Sequence, residues 1–242
     1  MYYLRSFFST LFYPFFTLMM SITEIILNLI FNNRRIDDFM VFLWGYLSCA
    51  LFGVKVQVKG LENYPSRGCI VIFNHASFFD IFALAMVLPG IRFGAKEELF
   101  KIPFFGAVMR RVGMLEIARE RREEVFKVYQ KALERFKRGE RFALAPEGTR
   151  QIEEKLGNFK SGPFIFAING QVELVPVVIR GAAKILPKGH FFPNWGVPSS
   201  TIEVLVLPPV STQGLSKEHK SDLMSKTWGE MDFVLRTGNL NS

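Results

Sequence analysis

Between Ser6 and Phe31 the chain carries one charge, Glu24, and between Phe39 and Val54 it carries none. Two such runs in succession must hide from water as helices, in lipid or against protein. The polar stretch Asn32-Asn33-Arg34-Arg35-Ile36-Asp37-Asp38 between them reads as the turn of a helical hairpin. The first run is longer than the apolar region of a cleavable signal, a second follows it, and no small-residue cleavage site stands out. The second run has 16 residues, which as a helix reach only about 24 Å of a hydrocarbon core ~30 Å thick. Pro14 and Glu24 interrupt the first run, and two arginines in the far turn oppose the positive-inside tendency. We therefore expect a monotopic hairpin, embedded in one leaflet of the cytoplasmic membrane, with both ends and the rest of the chain on the cytoplasmic side. Two full spans, or a hairpin packed on a soluble domain, are the alternatives.

From Val54 the pattern changes. Val54 to Lys59 alternates as a half-buried strand does, and Cys69–Phe73, Ile91–Ala95, Met114–Ile117, Phe142–Ala145, Val172–Ile179 and Ile202–Leu207 are further strand-like runs. Helical periodicity occupies Phe78–Leu88, Lys160–Asn169, Ser216–Arg236 and, most clearly, Glu120–Arg138, where Val125, Val128, Tyr129, Ala132, Leu133 and Phe136 form one face. Strands alternating with helices indicate an α/β fold, with a mixed, largely parallel central sheet flanked by helices. The expected division is residues 1–53 as a membrane-associating two-helix hairpin and 54–242 as one α/β domain.

Of the 242 residues 49% are hydrophobic and 26 are Phe, a bias that suits lipid contact as well as a core. The net charge of +8 is concentrated: Arg110 to Arg150 holds twelve basic residues against seven acidic ones. Such a face attracts anionic membrane lipid, a phosphate ligand or an acidic carrier protein. Nucleic acid is not expected, because no basic tail, zinc spacing or aromatic RNA-binding signature accompanies the charge. Cys49 and Cys69 lie in apolar runs without metal-type spacing and read as buried thiols.

Two short blocks carry chemistry. In Asn74-His75-Ala76-Ser77-Phe78-Phe79-Asp80 an imidazole and a carboxylate stand five apart, where a strand-like run gives way to a helix-like one. On one helix they would point about 140° apart. With His75 in the loop and Asp80 in the first helical turn, the carboxylate can fix one ring nitrogen and leave the other to take a proton. The competing reading is a capping box, Ser77 and Asp80 satisfying only orphan amides. The second block, Pro146-Glu147-Gly148-Thr149-Arg150, follows another strand. Its glycine lets backbone amides turn to a ligand, and a guanidinium beside a hydroxyl suits a phosphate monoester. An ordinary polar turn would look the same.

Together these blocks resemble the glycerophospholipid acyltransferase family, most closely its short bacterial 1-acyl-sn-glycerol-3-phosphate acyltransferases. The matching residues are Asn74, His75, Ser77 and Asp80; Lys96 with Ile102-Pro103-Phe104-Phe105-Gly106 and Arg119; Pro146 to Arg150; and Val175-Pro176-Val177. They come in the family's order from about Gly60 to Val210. Ala118 and Ala145 depart from it, standing where an acid and an aromatic are common. The resemblance implies transfer of an acyl chain from acyl-CoA or acyl-carrier protein to the sn-2 hydroxyl of lysophosphatidate. His75 would be the general base oriented by Asp80; Arg119, Arg150 and Lys96 would hold phosphate, Gly148 and Thr149 would donate to it, and Glu147 would contact glycerol hydroxyls or hold an arginine. No metal or cofactor is implied beyond the acyl thioester.

The chain has no Gly-x-Ser-x-Gly elbow, no His-Glu-x-x-His, no phosphate-binding loop of the nucleotide-hydrolase type and no dinucleotide fingerprint. The rivals are an acyltransferase with another acceptor, such as glycerol 3-phosphate, a non-catalytic protein that binds anionic lipid, and a metal-dependent lipid phosphatase built on His75, Asp80 and Glu147.

Overall fold

The computed structural model describes residues 1–240. Seven strands form one sheet: β1 (Val54–Lys59), β2 (Cys69–Phe73), β3 (Ile91–Lys96), β4 (Leu115–Ile117), β5 (Arg141–Leu144), β6 (Glu173–Arg180) and β7 (Ser200–Val206). Their order is β1-β7-β6-β2-β5-β3-β4. Every neighbouring pair is parallel except β6 and β7, which run antiparallel. The fold is thus the mixed, largely parallel α/β sheet that the alternation of elements predicts.

Eight helices accompany it among the described residues: α1 (Tyr2–Phe31), α2 (Arg34–Leu51), α3 (Phe79–Val87), α4 (Phe105–Arg111), α5 (Arg122–Lys137), α6 (Gly162–Gly170), α7 (Ala182–Ile185) and α8 (Lys220–Thr237). Alternate side chains of β2 sort the two faces of the sheet. Cys69, Val71 and Phe73 join α2, α3 and α7 in one core, while Ile70 and Ile72 join α5, α6 and α8 in the other. With helices on both faces, β2 is buried at every position, as an inner parallel strand should be.

The hairpin is tighter than its polar stretch suggests. The turn is only Asn32 and Asn33; Asn33 caps α2 by accepting the Arg35 amide at 2.9 Å, so Arg34 to Asp38 are already helical. Helix α1 runs through Pro14 unbroken, and it is long and apolar enough to cross a membrane. Its burial is reversed from that of a water-soluble helix. Ser6, Ser9, Ser21, Glu24 and Asn28 face inward, at helical spacing, while Phe8, Leu11, Phe12, Phe15, Met19, Ile26, Leu29 and Ile30 are exposed. Two of these groups find partners on α2, Ser9 Oγ donating to the Leu51 carbonyl at 3.1 Å and Asn28 to Asp37 at 2.6 Å, and the Tyr13 hydroxyl of α1 pairs with that of Ser48 at 3.0 Å.

Helix α2 in turn lies against α3. A Cβ on Gly45 would fall 2.7 Å from the Phe82 carbonyl oxygen, so glycine permits the approach. Cys49, Phe52 and Val54 belong to the same core as β2 and β6. The fully buried Arg92 of β3 pairs with Asp38 of α2 at 2.5 Å. The hairpin and the sheet therefore share one interior.

Candidate active site

Strands β2 and β5 are parallel neighbours, so the loops leaving their C-terminal ends emerge side by side, where parallel α/β sheets place ligands. Those loops are the two chemical blocks. Asn74 ties the first to the sheet: its side chain donates to the Ile179 carbonyl at 2.8 Å and accepts the Ile179 amide at 2.7 Å. The second then grips the backbone of His75. The His75 amide donates to Glu147 Oε2 at 3.0 Å, and its carbonyl accepts the Gln151 amide at 2.8 Å.

Asp80 Oδ2 receives His75 Nδ1 at 2.9 Å together with the amides of Ala76 at 2.7 Å and Ser77 at 2.8 Å. Ser77 Oγ accepts the Phe79 amide at 3.3 Å and donates to the Leu186 carbonyl at 3.0 Å. The reciprocal capping box does not form, since the cap of α3 is Phe78 and the Asp80 amide goes to the Ser77 carbonyl; Asp80 instead holds the Ser77 amide and the imidazole with one oxygen. Since Asp80 is 1% exposed and carries these donors, its carboxylate favours the tautomer with the proton on Nδ1 and leaves Nε2 unprotonated. His75 itself lines a cavity of about 1100 Å³.

The cavity has two chemically different walls. Along α1 and α2 it is bounded by residues such as Tyr13, Thr17, Met20, Met40 and Trp44; elsewhere the lining holds five cations, Lys96, Arg119, Arg150, Lys160 and Lys188, against Glu97, Glu98 and Glu120. Arg119 Nη1 donates to the Gly148 carbonyl at 2.7 Å, and burial holds its guanidinium below the ordinary arginine value. The Arg150 guanidinium lies 4.3 Å from the centre of the Phe78 ring, a cation–π contact that anchors it at the start of α3, three residues on from His75. Lys96 pairs with Glu98 at 2.9 Å on an exposed edge.

Gly148 has φ 72°, and a Cβ there would meet Lys160 Cε and Nζ at 2.8 Å. Glycine thus lets the Lys160 chain cross the backbone of the block. Lys188 donates to the Arg150 carbonyl at 2.8 Å and faces the Thr149 hydroxyl. Neither lysine belongs to a recognisable sequence pattern, and only the fold brings them to the site.

Glu147 takes neither of the two places expected of it, against glycerol hydroxyls or against an arginine. Oε2 holds the His75 amide, Oε1 holds the Gly157 amide at 2.8 Å, and the side chain is buried away from the cavity lining. Burial raises its carboxyl above the usual glutamate range, more than the two amides lower it. Among the described residues no three His, Cys, Asp or Glu side chains converge as metal ligands.

The family model for acyltransferases matches residues 55–180, more than half of the chain. The chain belongs to the acyltransferase family. A chloroplastic 1-acyl-sn-glycerol-3-phosphate acyltransferase of Brassica napus is 33% identical over 159 residues, covering 65% of this chain and 46% of its own. A yeast (Saccharomyces cerevisiae) protein of the same description is 32% identical over 191 residues, covering 77% of this chain and 61% of its own. The chain thus spans roughly half to three fifths of these relatives. The crystal structure of the 1-acyl-sn-glycerophosphate acyltransferase PlsC from Thermotoga maritima superposes with a TM-score of 0.82 at 25% identity, covering 98% of this chain and 97% of that one. Both blocks lie within the segment that the family model matches.

Proposed function

We infer that this acyltransferase moves a fatty acyl chain from an acyl thioester, carried by CoA or by a carrier protein, to the sn-2 hydroxyl of 1-acyl-sn-glycerol 3-phosphate, yielding phosphatidic acid. The observation that carries the reading is the position of His75: its Nδ1 is fixed by Asp80 and its ring faces a cavity apolar on one side and cationic on the other. Relatives bearing that activity in their names support it.

His75 Nε2 removes the proton as the acceptor hydroxyl attacks the thioester carbonyl, a contribution typically of ~10²- to 10⁴-fold. Asp80 stabilises the imidazolium that forms. Collapse of the tetrahedral species breaks the C–S bond, and the departing thiolate takes the proton back from His75. The acceptor phosphate lies among Arg119, Arg150, Lys160 and Lys188, with Gly148 and Thr149 beside it and Lys96 at the rim. The hairpin wall receives acyl chain. The exposed apolar face of α1 sits in one leaflet of the cytoplasmic membrane, which keeps the site at its cytoplasmic surface.

The test is thiol release from both donor types with lysophosphatidate, glycerol 3-phosphate and other lysolipids. His75→Ala is expected to abolish release with every acceptor while vesicle binding persists. Retained turnover in that variant, or a preference for an acceptor without a phosphate monoester, would overturn the reading.

A further inference from the structure

We propose that residues 187–199, the loop between α7 and β7, form a second membrane-inserting element that sets the cavity mouth into the lipid beside the hairpin. The proposal rests on the reading that α1 lies in the bilayer.

Phe191 is 80% exposed, Trp195 50%, Val197 42% and Phe192 39%. These side chains project from a backbone that is held firmly. Asn194, 2% exposed at φ 50°, donates to the Phe52 carbonyl at 2.9 Å, accepts the Ser200 hydroxyl, and gives its amide to the Ile185 carbonyl at 2.9 Å. Arg5 of α1 donates to the carbonyls of Val197, at 2.7 Å, and Pro198, and Ser6 donates to that of Pro193. The cost of exposing these rings is therefore built into the fold and is not relieved by a loop folding back.

Three observations select a lipid surface as the occupant. The rings continue the outward face of α1: Phe192 stacks on Phe7 at 6.0 Å and lies 4.9 Å from Trp195, whose ring meets Tyr3 edge-on at 5.2 Å. Between Gly181 and Ile202 the chain has Lys184, Lys188 and His190, all exposed, and no acidic residue, a composition suited to an anionic headgroup layer. Lys188, Phe191 and Pro193 also line the cavity. One segment thus touches the ligand space on one side and faces outward on the other, so a lysolipid reaches His75 along it without crossing water.

Bromine-labelled phospholipid in phosphatidylethanolamine–phosphatidylglycerol vesicles tests this on the full chain. The three tryptophans are Trp44, Trp195 and Trp228. In Trp44→Phe/Trp228→Phe the remaining Trp195 is expected to lose at least about half its emission to bromine near the glycerol end. In Trp44→Phe/Trp195→Phe, Trp228 on the opposite face of the sheet stays bright. Protein that sediments with vesicles while Trp195 is unquenched, whether a second copy or another protein covers it, overturns the loop's role and leaves the hairpin reading intact. Protein that fails to sediment overturns both. As a second measurement, Phe192→Ser/Trp195→Ser is expected to raise KM for vesicle-borne lysophosphatidate about tenfold. KM for a short-chain acceptor dissolved in water stays unchanged, and equal rises for both would overturn the proposal.

Discussion

One oxygen of Asp80 serves the imidazole and two backbone amides at once, and its other oxygen has no partner. Asparagine can present its carbonyl to the same three donors and place its nitrogen where the unpartnered oxygen was. Asp80→Asn is therefore expected to fold like the parent yet lose roughly 10²- to 10⁴-fold in kcat, because the imidazolium loses its counter-charge; circular dichroism and thiol release check the two halves separately. Glu147 calls for the opposite test. Glu147→Ala strands the buried His75 amide and the part-buried Gly157 amide, and urea denaturation should show a loss of about 2–4 kcal/mol. The His75–Asp80 pair was legible because its chemistry sits within a few consecutive residues. Glu147 was misplaced because its partners, His75 and Gly157, lie 72 and 10 positions away. Lys160 and Lys188 left no trace for the same reason: an isolated lysine in a loop looks like any surface charge until the chain closes around it.

Among elements, α1 carries the most information. Glu24 is 2% exposed and neither oxygen has a hydrogen-bond partner; burial, with Asp37 beside it, raises its carboxyl above the ordinary range. The fold then binds that proton more tightly than the unfolded chain does. Its contribution to stability is complete below the unfolded chain's value and is lost as pH rises through the folded one. Melting in detergent micelles is expected to fall from mildly acidic to mildly alkaline pH, and Glu24→Gln to flatten that slope. Thr17 lies on the cavity wall of the same helix. Thr17→Trp should slow turnover of long-chain thioesters much more than short ones, measured as the ratio of kcat/KM between them. The strands and helices α3, α5, α6 and α8 were legible from periodicity to within a few residues, whereas α4 and α7 are too short to show one. The hairpin turn was not, since the capping by Asn33 that starts α2 inside the polar stretch depends on one side-chain bond. The reversed pair β1 and β7 was equally hidden, because alternation of residues is the same in both directions.

For the whole molecule, the joint interior of hairpin and sheet decides which experiments are fair. Removing residues 1–53 would take Cys49 and Phe52 out of the core and confound anchoring with folding. Phe8→Ser/Phe12→Ser/Phe15→Ser alters side chains that are 59%, 48% and 56% exposed. It is expected to move the protein from the membrane pellet to the supernatant with its circular dichroism unchanged. Apolar composition pointed to lipid contact, but only the folded structure separates the outward apolar face of α1 from the one that meets protein. That helix, with hydroxyls turned inward and phenyl rings outward, precedes every strand of the sheet. During synthesis the apolar helix is complete before the strands that carry the site, so on the proposed reading the lipid surface is met while the catalytic loops are still unassembled.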